Sequence, residues 1–187
     1  MTNYQFPSNF WWGSAASGPQ TEGRIAGDGK GENIFDYWFS QEPEKFFDQV
    51  GPEKTSQVYT KYKEDVQLMK QTGHNSFRTS IQWSRLIPEG TGEVNQQAVD
   101  FYHSYFDELI ANGIEPFVNL YHFDMPMPLQ EKADGSIGKR LKRMKGMLRF
   151  VLNYLGRKSK NGLPIMSQSC QLKLGIFTVG ITRKSPI

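Results

Sequence analysis

The 187 residues, 37% hydrophobic and 13% aromatic, are enough for one domain of ordinary size with a sizeable core. No apolar run reaches the length of about 18 residues that a membrane span needs. The opening "MTNYQFPSNFWWG" lacks the basic and apolar regions of a secretory signal. The single Cys170 has no partner for an intramolecular disulfide and fits the cytoplasm, where the chain is expected. The net charge of +3 conceals an asymmetry. Residues 1–131 hold 9 Lys/Arg and 18 Asp/Glu, whereas residues 132–187 hold 13 Lys/Arg against the lone Asp134. A basic half joined to an acidic one ordinarily suggests an arm for nucleic acid or anionic membrane.

In chain order, "NFWWGSAAS" (9–17) reads as a short buried strand, and "GRIAGDGKGEN" (23–33) as a flexible surface loop. The glycine spacing of that loop is wrong for a phosphate cradle. "TSQVYTKYKEDVQLMKQTG" (55–73) predicts a helix. Thr55 or Ser56 caps it, Gly73 ends it, and Val58, Tyr62, Val66 and Met69 fall on one face. "NSFRTSI" (75–81) is a second strand. "NQQAVDFYHSYFDELIANG" (95–113) is a second helix, capped by Asn95, with Val99, Tyr102, Phe106, Leu109 and Ile110 inward. "IEPFVNLYH" (114–122) is a third strand. Strand and helix alternating through short turns predict an α/β fold with a parallel sheet. In a closed barrel of this kind the working groups gather at the C-terminal strand ends. After Glu131 the periodic signals fade into a possible basic helix, interrupted by Gly146, and one or two strands.

The polar residues at those strand ends suit a sugar. Gln20, Asn119 and His122 can both donate and accept hydrogen bonds, as hydroxyls demand. Trp12, Trp83 and Phe123 offer flat apolar faces, although Trp83 alone reads more often as core and His122 alone more often as a structural histidine. Arg78, on a strand read as buried, needs an anionic partner.

Three stretches carry a family resemblance: "FWWGSAASGPQTEG", "YKEDVQLMKQTGHNSFRTSIQWSRLIPEG" and "ELIANGIEPFVNLYHFDMPMPLQE". Together, in order and in spacing, residues 4–131 resemble the N-terminal third of glycoside hydrolase family 1. Within it, "GPQTEG", "IFDYW" and "YHFDMP" are most similar to bacterial 6-phospho-β-glucosidases. The resemblance implies the N-terminal part of a (β/α)8 TIM barrel, about three βα units, and cleavage of β-glucosides with retention. It also implies that Gln20 and His122 bind the glycone and that Arg78 supports the nucleophile. Phe123 departs from the family's more usual Trp. No cofactor or metal is implied. The expected partner is a small β-glucoside or phospho-β-glucoside, with neither nucleic acid nor membrane.

The family pattern continues with a helix and then Trp-x-Thr-x-Asn-Glu-Pro, whose Glu is the acid/base. This chain has no Asn-Glu-Pro, and residues 132–187 contain no Glu. A frame one base early recovers the motif. Met166 (ATG) followed by a Ser167 codon AGY spells GAG across the boundary, with AAT before it and CCA after it. Asn161–Gly162 can spell TGG, and Leu163–Pro164 can spell ACC. Residues 132–187 are therefore expected to be an out-of-frame translation, poorly ordered, and the chain a truncated and inactive glycosidase without either catalytic Glu. Glu22, Glu64 and Asp124 are poor substitutes. Two other functions are a non-catalytic sugar-binding module and a basic-tailed nucleic-acid binder. Against the latter, Phe150, Tyr154 and Phe177 are the only aromatics available in the tail for stacking.

Overall fold

The computed structural model describes residues 4–131, 145–146, 149 and 178–180. In chain order they form β1 (Gly13–Ala15), α1 (Gly18–Thr21), α2 (Ile34–Gln41), α3 (Val58–Gln71) and β2 (Ser76–Ser80). There follow α4 (Trp83–Leu86), α5 (Gln96–Ala111), β3 (Glu115–Asn119), α6 (Met127–Glu131) and β4 (Thr178–Gly180). Two 3-10 turns, Pro43–Lys45 and Phe47–Gln49, join α2 to α3. The sheet runs β1-β2-β3-β4. The first three strands are parallel and β4 is antiparallel to β3, with Val118 opposite Val179.

Alternation along the strands divides the sheet into two faces. Phe77 and Val118 lie under the long helices, in one core with Val66, Tyr102, Phe106 and Leu109. The intervening Arg78 and Phe117 are opposite each other in the ladder and only half-buried. The α3 face holds as its periodicity predicts: Val58 and Val66 are buried, and Tyr62 and Met69 pack against the core. The α5 face is wider than predicted, adding Ala98, Phe101 and Tyr105, while Ile110 is half-buried. Asn95 caps α5 as expected, its side chain accepting the Gln97 N–H at 3.1 Å.

Three expectations need correction. The strand within 9–17 is only three residues long and exposed rather than buried, because among the described residues it stands at the edge of the sheet with a neighbour on one side. It still approaches β2 closely: a Cβ on Gly13 would lie 2.0 Å from the Ser76 carbonyl oxygen. Helix α3 starts at Val58. Its N-cap is Gln57, left-handed at φ 58° and without a side-chain cap bond, rather than Thr55 or Ser56. The loop over 23–33 is pinned rather than loose, since Asp28, Lys30 and Asn33 are buried. Lys30 pairs with Asp36, and Asn33 forms a capping box with Asp36 at the start of α2.

Most of the expected basic helix and tail strands lie outside the described residues. Residues 145, 146 and 149 are helical and exposed, and β4 falls in the segment read as strand. Among the described residues no helix is long and apolar enough to cross a membrane.

Candidate active site

Because β1 and β3 are parallel, the segments that follow them emerge at the same end of the sheet. After β1 the chain turns into α1, which carries Gln20. Ser17 Oγ donates to Gln20 Oε1 at 2.7 Å, and the Gly18 N–H donates to Ser80 Oγ at 2.8 Å. Gly18 leaves no room for a side chain: a Cβ there would lie 2.7 Å from both Gln82 Cγ and Glu22 Oε1. After β3 comes the turn Tyr121–Asp124, where Phe123 sits at φ 68°. A bulky residue in the left-handed region costs on the order of 1–3 kcal/mol, a strain that concentrates at functional sites.

The two segments enclose a cleft of about 570 Å³, lined by Ser17, Gln20, His122 and Phe123, with an apolar wall from Phe35, Phe46, Val50 and Pro52. Its size suits a small organic ligand. His122 Nδ1 is buried, without a hydrogen-bond partner among the described residues. Burial, and then the charge of Arg78, push the imidazole below its ordinary pKa. The neutral ring so favoured can donate from one nitrogen and accept at the other.

The structure thus brings together Gln20, His122 and Phe123, three of the residues singled out in the sequence. Arg78 stands nearby but does not line the cleft. Its Nη1 donates to the Ala16 carbonyl at 2.8 Å, and among the described residues it makes no ion pair. Asn119 is buried at the end of β3, away from the lining. Trp83 is core, 1% exposed, with its indole N–H donating to Gly90 O at 3.1 Å, so it presents no face to a ligand. Trp12 clusters with Phe6 and Phe10 outside the cleft.

Among the described residues the fully buried arginine is Arg85 rather than Arg78. Its Nε donates to Glu22 Oε2 at 2.7 Å, its Nη1 to Asp28 Oδ2 at 2.8 Å and its Nη2 to the Gly23 carbonyl. The guanidinium lies 4.1 Å from the Tyr59 ring centroid. Glu22 also accepts from Gln82 Nε2 at 2.9 Å and from the Tyr102 hydroxyl at 3.0 Å. Burial pushes the Glu22 carboxyl up, opposed by the Arg85 charge, while the two carboxylates hold Arg85 charged. One signal in the sequence points to Arg85: a lone cation in the apolar run "IQWSRLIP" requires an acid elsewhere. Asp124 is fully buried and serves the turn. Its carboxylate accepts the Trp83 N–H at 2.7 Å and the His122 N–H at 3.3 Å. Burial raises its pKa to about 7. Glu64 is exposed on α3. Among the described residues no group of three or more His, Cys, Asp or Glu could hold a metal.

The three parallel strands β1–β3, with helices packed on the sheet and the cleft at their C-terminal ends, match part of an α/β barrel. The chain belongs to glycosyl hydrolase family 1, whose profile matches residues 2–181 and so runs past Glu131. It is 68% identical over 128 residues to the 6-phospho-beta-glucosidase GmuD of Bacillus subtilis (strain 168), covering 68% of this chain and 28% of that protein. It is 44% identical over 133 residues to Beta-glucosidase A of Acetivibrio thermocellus, covering 71% and 30%. Among solved structures it superposes on an aphid myrosinase with a TM-score of 0.77 and 34% identity, over 84% of this chain and 34% of the other. For the family 1 β-glucosidase from Thermotoga maritima the TM-score is 0.74 and the identity 35%, over 81% and 34%. The chain therefore spans about a third of the length of its relatives.

Proposed function

We propose that the chain is the N-terminal part of a retaining β-glycosidase for β-glucosides, 6-phosphorylated ones foremost, and that by itself it turns over no substrate. The substrate class rests on one observation, the 68% identity to a relative named a 6-phospho-beta-glucosidase. Gln20 and His122, facing one cleft, would grip the glycone hydroxyls. Arg78 would support the nucleophile of the complete barrel.

Retention needs two carboxylates about 5–5.5 Å apart, both free to act. Glu22 is engaged by Arg85, Gln82 and Tyr102, and Asp124 by two backbone N–H groups. Glu64 projects from an exposed helical position, and no Asn-Glu-Pro occurs in the sequence. In this reading residues 132–187 are the out-of-frame segment, neither a nucleic-acid arm nor a membrane helix. The 128 residues matched to the Bacillus protein equal the length of residues 4–131. The enzyme is cytoplasmic and needs no cofactor.

A second reading is favoured by the family match continuing to residue 181 and by the pairing of β4 with β3. The tail then belongs to the fold, and the chain is a sugar-binding module.

The test is hydrolysis of p-nitrophenyl β-D-glucoside and its 6-phosphate. The chain as it stands releases no nitrophenol above background. A version with the alternative frame restored and extended releases it, faster from the phosphorylated substrate. Turnover by the present chain would contradict the proposal.

A further inference from the structure

Helix α1 begins with a serine that does not cap it in the usual way. A Ser at the N-cap ordinarily accepts a backbone N–H from the second or third helical residue. Ser17 holds the N-cap of α1 in extended conformation, and its hydroxyl makes no such bond. The helix has no need of one. The Gly18 N–H donates to Ser80 Oγ at 2.8 Å, Pro19 has no N–H, and the Gln20 N–H donates to the Ser17 carbonyl at 3.2 Å. The Thr21 hydroxyl donates to the same carbonyl at 2.8 Å. Ser17 Oγ is thereby left for a side chain, and it donates to Gln20 Oε1 at 2.7 Å.

The two partners differ in burial. Ser17 is fully buried, whereas Gln20 is exposed. Glutamine is among the side chains that lose most rotamer freedom when ordered. Tied to a buried hydroxyl, the Gln20 carboxamide is ordered before any ligand arrives, which lowers the entropic cost of binding. The bond also decides which end a ligand meets. Oε1 faces Ser17, while Nε2 has no partner among the described residues, and both residues line the cleft. An amide nitrogen only donates. We infer that Ser17 is a positioning residue, whose hydroxyl turns the Gln20 carboxamide so that it meets a ligand oxygen as a donor. His122 lines the same cleft and can accept a hydroxyl proton at one ring nitrogen. The cleft therefore suits a polyhydroxylated ligand with an acceptor oxygen toward α1 and a hydroxyl toward the turn after β3. This inference rests on reading the cleft as a glycone site.

The experiment is NMR on the full, isotope-labelled chain, titrated with D-glucose 6-phosphate, with Ser17→Ala, Ser17→Thr and Gln20→Ala for comparison. In the unaltered chain the Gln20 side-chain amide should be as ordered on the ps–ns timescale as the backbone of α5. Ser17→Ala should release that amide and weaken the sugar phosphate about fivefold, and Ser17→Thr, which keeps the hydroxyl, should restore both. In the Gln20→Ala background, Ser17→Ala should change the affinity less than about twofold. A serine that only supports the fold would weaken binding equally in both backgrounds, and that result overturns the inference. If Ser17→Ala does not fold, Ser17→Cys, a weak donor, carries the test. No binding by the unaltered chain contradicts the glycone reading, and the order of the Gln20 amide then decides the role of Ser17 by itself. A Gln20 amide already mobile in the unaltered chain, or unmoved by loss of the hydroxyl, overturns the inference.

Discussion

Single residues decide how the cleft is held. Gln20 and His122 were legible through their motifs, and both line it. Arg85 was passed over: the run around it signals only that an acid is needed, and its partners Glu22 and Asp28 lie 63 and 57 residues away. Arg78 drew attention instead, although it is only half-buried. Asp124 reads in sequence as a turn residue, and the structure adds its burial. A carboxyl raised from 3.8 to about 7 binds its proton more tightly in the folded chain than in the unfolded one. Its contribution is fully present below about pH 4 and is lost as pH rises through about 7. Urea midpoints should therefore fall between about pH 5 and about pH 8, and Asp124→Asn should flatten that slope. Glu22, also raised, contributes with the same sign in both proteins. Equal slopes would show that Asp124 does not titrate in this range.

At the scale of elements, periodicity found α3 and α5 and the faces they bury, because those patterns are local. It misplaced the start of α3, where the backbone takes a left-handed turn at Gln57 instead of using a side-chain cap. It also missed the order in residues 23–33, which comes from contacts with a distant segment. Asn33 shows how much one residue there contributes. Its Oδ1 accepts the Phe35 and Asp36 N–H groups at 2.8 and 3.1 Å, and Asp36 accepts the Asn33 N–H at 3.0 Å. Its Nδ2 reaches Gln82 and Ser84 at 3.4 Å. Asn33→Ala should cost about 1–2 kcal/mol in chemical denaturation. It should also loosen α2, seen as faster amide exchange at Phe35 and Asp36. A change below about 0.3 kcal/mol would place the capping box outside the cooperative fold.

For the whole molecule, the parallel sheet was legible from alternating strand and helix, and family membership from three linked stretches. The edge position of β1 was not, because the apolar run around it suits a buried strand and only the sheet order among the described residues places it at the edge. In the proposed reading the change of charge after Glu131 follows from a change of reading frame, which would account together for the basic run and the missing Glu. The most direct test is the coding DNA from the codon of Glu115 past that of Ile187. The account predicts that the frame one base early reads Trp-x-Thr-x-Asn-Glu-Pro across the codons of Asn161 to Gln168 and then stays open. If the codons of Met166 and Ser167 spell no glutamate between them, the basic segment is the chain's own and the frameshift account is wrong.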